Sequence, residues 1–179
     1  MPNFARPTLR RLAVETRGAE IAEAAAVLPL MFMILLGIFW FGQAFSIYGA
    51  ITRAAQEGAR AGVAPYCATC SGANSATTNA VNAVTTALLA SKLDPTQIQS
   101  PPLQPGLPSC TSGFVSCSVT STQVCVQSPV LLKDSGATAG VCGMSVSFQY
   151  PFQFWLPFTS LNKQKIWINA SARVRMENQ

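Results

Sequence analysis

Cys67 and Cys70, in the run CATC, have the spacing of a redox-active dithiol or of half a zinc site. A redox pair of this kind normally opens a helix in a βαβ setting, whereas these two lie in a Ser/Gly/Ala-rich stretch. Zinc would need a second matched pair, and Cys110 and Cys117 are too far apart in sequence to supply it. The remaining cysteines are Cys125 and Cys142, so six stand after residue 63 and none before it. An even number on one side of an apolar run is the pattern of disulfides formed in an oxidising compartment. Proximity suggests Cys67 with Cys70, Cys110 with Cys117 and Cys125 with Cys142.

The rest of the chain offers little to a catalyst. Histidine is absent, and between Arg60 and Met176 the only acids are Asp94 and Asp134, each beside a turn signal. The serines therefore have no visible base. No glycine-rich phosphate loop occurs, and no metal or cofactor set is expected. Asn169-Ala170-Ser171 matches a glycosylation sequon but falls inside an alternating segment that reads as a strand. These residues argue for a non-enzymatic protein, with a thiol oxidoreductase using Cys67 and Cys70 as a weaker alternative.

A different chemistry is posed by Glu20 and Glu23, which stand at the start of AAAVLPLMFMILLGIFWFG. From Ala24 to Thr52 the only ionisable group is Tyr48. A helix of that length is about 43 Å long, against a hydrocarbon core of about 30 Å. It can cross a bilayer. A removable secretory signal is the rival reading, but the apolar run exceeds the usual core of such signals and helical patterning continues beyond it. Arg6, Arg10, Arg11 and Arg17 precede the run, against Arg53 and Arg60 after it, which places the N-terminus in the cytoplasm and the remainder outside. Four of the twelve basic residues thus serve topology, and the others are scattered. Despite the net charge of +5, nucleic acid is not an expected partner.

The elements follow from periodicity. Residues 1–18 read as a basic leader, and 19–63 as one helix of about 65 Å that spans the membrane and emerges from it. Pro29 should kink it or loosen one turn. In the emergent part Ala54, Gly58 and Gly62 recur every four residues, so another backbone can approach closely, either the chain's own head or a second subunit. Residues 64–179 form the head. Ala80, Val84 and Leu88, with Val81 and Ala87, predict a second helix capped by Asn74 or Ser75 and stopping before Asp94-Pro95.

Pro95 to Pro108 reads as an extended connection. The period then becomes two. MSVSFQY alternates Met144, Val146, Phe148 and Tyr150 with polar residues and predicts a half-buried strand. Ile166 to Met176 predicts another, with Lys165, Trp167, Asn169, Ser171, Arg173 and Arg175 outward. The apolar phase switches between Val115 and Val126, which predicts a turn or bulge near Ser121. YPFQFWLPF, Tyr150 to Phe158, reads as a connection filling one end of the core, or as an interfacial or partner-binding patch. The expected class is α+β: a long N-terminal transmembrane helix continuing into a small extracytoplasmic domain, with the second helix on a three- or four-stranded antiparallel sheet and disulfides as staples.

Arg17-Gly18, Glu23, the apolar run with its internal proline, and AITRAAQEGARAGV resemble the N-terminal half of TadE-like proteins, pseudopilins of the tight-adherence (Tad or Flp) pilus system. MSVSFQYPFQFWLPF through NASARVRME is similar to the end of that family. The resemblance implies cutting by a prepilin peptidase between Gly18 and Ala19, with Glu23 becoming the fifth residue of the mature chain. Ala24 stands where the family usually has an aromatic residue, and Glu20 adds a second carboxylate. The resemblance further implies a pilin-like head, a single pass through a bacterial inner membrane, and a periplasmic or extracellular C-terminal domain. Its expected partners are the bilayer, pilin and other pseudopilin subunits, and the pilus secretion machinery. The function implied is a minor pseudopilin or membrane-anchored component in pilus biogenesis and surface adherence, in the membrane or in the filament. A membrane-tethered ligand-binding module is the alternative.

Overall fold

The computed structural model describes residues 16–64, 76–101, 106–119, 123–133, 140–153 and 165–176. The chain divides into two compact units, Met1–Gln43 and Ala44–Gln179.

Helix α1, Thr16–Val63, continues through Pro29. In the first unit it has almost nothing around it. Every described side chain from Glu20 to Leu36 is exposed, including Phe32, Ile34 and Leu35. An isolated helix in water buries nothing on such a surface, so a surrounding apolar phase is its physical complement.

In the second unit α1 buries Ile51, Ala54, Ala55 and Ala59, a stripe with helical spacing. Helix α2, Ala76–Ala90, buries Ala80, Val81, Val84 and Leu88. Its C-terminus closes on backbone hydrogen bonds from Leu93 N–H to Leu88 C=O (2.9 Å) and from Lys92 N–H to Leu89 C=O (3.0 Å), with Lys92 at φ 59°. That is the Schellman arrangement with lysine in the left-handed position. The stop therefore precedes Pro95 by several residues. The capping positions 74 and 75 lie outside the described residues.

A single 3₁₀ turn, Pro95–Gln97, follows. Asp94 caps it, accepting from the Thr96 backbone N–H (2.9 Å) and the Thr96 hydroxyl (2.7 Å). These bonds hold its carboxyl below the usual carboxylate range. Their stabilisation is present above the ordinary carboxylate pKa and fades as pH falls through the lowered one. The backbone N–H of Asp94 donates to the Tyr150 hydroxyl (3.2 Å), joining the turn to the sheet.

The strands are β1 (Leu107–Pro108), β2 (Phe114–Val115), β3 (Ser118–Val119), β4 (Cys125–Leu132), β5 (Val141–Gln153) and β6 (Lys165–Arg175). β1 and β2 form a two-stranded sheet, and the other four form an antiparallel sheet in the order β3-β4-β5-β6. Met144, Val146, Phe148 and Tyr150 point into one core with Ile51, Ala54, Val84 and Leu88. Both helices thus cover the apolar face of the sheet, and the α+β class is as expected. Pairing is irregular between Gln127 and Val130, where the Ser128–Pro129 bond is cis. The predicted turn near Ser121 lies outside the described residues.

Three expectations need correction. β5 is buried on both faces, with Ser145, Ser147 and Gln149 as inaccessible as the apolar residues between them. It is an inner strand. On the same face Gln127 of β4 donates from Nε2 to the Val115 carbonyl (3.0 Å), so β2 packs over the polar side. YPFQFWLPF does not begin as a connection: Tyr150 to Gln153 continue β5, with Tyr150 and Phe152 buried. Phe154 to Phe158 lie outside the described residues. β6 keeps its polar row outward, but Ile166, placed inward by alternation, is 48% exposed near the strand's start.

The cysteine pairing also differs. The disulfides are Cys110–Cys142 and Cys117–Cys125, with Cα separations of 5.8 and 5.3 Å. Cys125 lies opposite Ser147 and Cys142 opposite Leu131, at opposite ends of the β4–β5 ladder. Five residue steps along β5 separate those ends by roughly 17 Å, so Cys125 and Cys142 cannot join. The Ser109–Val130 bridge instead delivers Cys110 beside Cys142, and the Ser118–Val126 pair brings Cys117 beside Cys125. Cys67 and Cys70 lie outside the described residues. With the partners eight positions apart in sequence, removing Cys117–Cys125 as the double alanine variant should lower stability by about 2.5 kcal/mol, read by chemical denaturation under oxidising conditions.

Candidate functional site

Gly18, Ala19 and Glu23 lie within the first eight residues of α1, so the Gly18–Ala19 peptide bond is part of the helix. A side chain at Gly18 would meet nothing within 4 Å. Glu20 and Glu23 are three residues apart, hence on one helical face, and both are exposed. Among the described residues neither makes an ion pair; the surface pair Arg60–Glu57 (3.8 Å) lies at the far end of the helix. Glu23 is therefore an available carboxylate at the edge of an apolar surface. It adjoins the uncharged run that begins at Ala24, within a segment long and apolar enough to cross a membrane.

The row of small residues points elsewhere. Ala54, Gly58 and Gly62 are all buried inside the second unit. A Cβ at Gly58 would collide with the Val84 side chain and come within 3.0 Å of the Ala80 carbonyl oxygen. At Gly62 it would collide with the Met144 thioether and approach the Ala76 carbonyl oxygen at 3.2 Å. The missing side chains are what let α1 lie against α2 and β5.

Among the described residues no three His, Cys, Asp or Glu side chains gather as a metal site. One recess was not read from the sequence. At the end of β5 and β6 a cleft of about 450 Å³ opens between these strands, the Pro95–Gln97 turn and Gln123. Alternation places Trp167 and Lys165 on the outward row of their strand, but nothing in it indicates that the chain around Gln99 faces them.

Residues 18–60 match the family model described as TadE-like protein. The matched segment starts at the glycine of the implied cut, contains the whole apolar run, and ends in the part of α1 that packs on the head. No curated protein and no solved structure is significantly similar to the chain.

Proposed function

We propose that this chain is a non-enzymatic, membrane-anchored component of a Tad-type pilus, a minor pseudopilin that helps to initiate, prime or cap pilus assembly. The observation that carries the reading is the coincidence of the TadE-like match with a helical stretch, Glu20 to Leu36, whose apolar side chains are exposed all round. Such a surface suits both lipid and the apolar helices of pilin neighbours. Gly18 and Ala19 are the proposed cutting point of a prepilin peptidase, on the cytoplasmic face of a bacterial inner membrane. Glu23 is the proposed contact to the neighbouring subunit. The head, held by Cys110–Cys142 and Cys117–Cys125, then stands on the periplasmic or extracellular side, where it can meet the secretion machinery or a surface.

Deleting the chain from its native host and counting surface pili by electron microscopy tests this. Pili should disappear or fall sharply and return on complementation with the intact chain. Unchanged pili in the deletion strain would overturn the proposal and favour a tethered binding module.

A further inference from the structure

β4 begins at Cys125, opposite Ser147, so β5 runs on from Gln149 to Gln153 past the end of that neighbour. On this side Gln99 is what bridges it among the described residues, through reciprocal backbone hydrogen bonds with Gln149 of 3.0 and 2.7 Å. On the other side β6 stays in register, with Trp167 opposite Pro151 and Lys165 opposite Gln153. The cleft of about 450 Å³ occupies the place that a longer β4 would have filled. That volume lies within the range of small-molecule sites.

The lining is chemically selective. Gln99 and Gln123 contribute amides; Gln97 and Thr96 line it too while donating from Nε2 and the hydroxyl to Asp94 (3.4 and 2.7 Å). An amide both donates and accepts, which matches a ligand whose own groups do both. Trp167 adds a broad apolar surface and is 37% exposed, open enough for a flat apolar contact beside these polar groups. Lys165 is the single charged group among the described lining residues. The nearby carboxylate of Asp94 does not line the cleft and is engaged by Thr96 and Gln97. Among the described lining residues a phosphate-rich ligand would find one cation, and an apolar peptide would find Ile98, Pro151 and Trp167 outnumbered by polar side chains. A pyranose presents hydroxyls around its rim and C–H groups on its faces, which is what amides around an indole can hold.

We propose that this cleft is a saccharide-binding site selective for a sugar carrying a carboxylate, a hexuronate unit of a glycan. Trp167 carries the ring, the Gln99 and Gln123 amides take hydroxyls, and Lys165 pairs with the carboxylate. The site rests on the cleft alone, so its failure would leave the pilus reading intact.

The test is calorimetric titration of the full chain, in a detergent without sugar headgroups, with tetragalacturonate and with neutral cellotetraose. Tetragalacturonate should bind saturably and at least tenfold more tightly than cellotetraose. Trp167→Ala should weaken binding at least tenfold. Lys165→Gln, at an exposed strand end where folding is not at issue, should bring the two sugars to within threefold of each other. Absence of saturable binding, equal affinity for the two sugars, or undiminished tetragalacturonate binding by Lys165→Gln would each overturn the proposal.

Discussion

Gly58→Leu is expected to destabilise the head by about 3 kcal/mol, near the upper end for overpacking a core. The first atom added already collides with Val84, whose branched side chain has little rotamer freedom in a helix, and sits 3.0 Å from the backbone oxygen of Ala80. Backbone cannot swing aside, so α1 must move away from α2, and the burial of Ile51, Ala54, Ala55 and Ala59 is loosened with it. Gly62→Ala is the control. Its new methyl meets mainly the Sδ and Cε atoms of Met144, the flexible end of an adaptable side chain, and its effect should be well under half that of Gly58→Leu. Urea denaturation of both variants, followed by near-ultraviolet circular dichroism, reads the difference. Equal effects would mean that the two close approaches are not distinguished by what they meet.

Glu23→Gln is expected to reduce pili to the level of the deletion strain while leaving the chain in the membrane. Under the proposed processing, the cut frees an ammonium at Ala19 of each subunit, and the exposed Glu23 of a neighbour is its counter-charge. At 4 Å and an effective dielectric of about 20, that pair is worth about 4 kcal/mol, and a charge left unpaired beside lipid is correspondingly unfavourable. The glutamine isostere removes the charge and keeps the shape. Glu20→Gln should leave pili near normal, because Glu20 follows Ala19 directly and is not the carboxylate that the family likeness aligns. The N-terminal residue and intact mass of membrane-extracted chain should show a start at Ala19 in the native protein. Normal piliation in Glu23→Gln would remove this carboxylate from the account.

What could be read from the residues was whatever depends on local period and charge. The uncharged interval from Ala24 to Thr52, the row of small residues after it, the apolar spacing of Ala80, Val84 and Leu88, and the alternation of β5 and β6 each record the environment of one segment. The disulfides were not legible because pairing depends on register: whether Cys142 meets Cys125 or Cys110 is decided by the Leu131–Cys142 and Ser109–Val130 alignments. The burial of Ser145, Ser147 and Gln149 was hidden for a related reason. A serine between apolar residues signals an outward face, and only the packing of β2 over β4 and the inner position of β5 reverse that inference. The cleft depends on β4 starting several residues too late to accompany β5 to its end, a mismatch in strand length that no single segment records.

The most direct test of the central claim is to place a photo-crosslinking residue at Phe39, an exposed position in the apolar part of α1, and irradiate native cells that are assembling pili. The expected result is a covalent adduct with a pilin or pseudopilin subunit, identified by mass spectrometry and lost in Glu23→Gln. Adducts with lipid alone, or recovery of the chain in the soluble fraction, would contradict a role for this helix in joining the pilus.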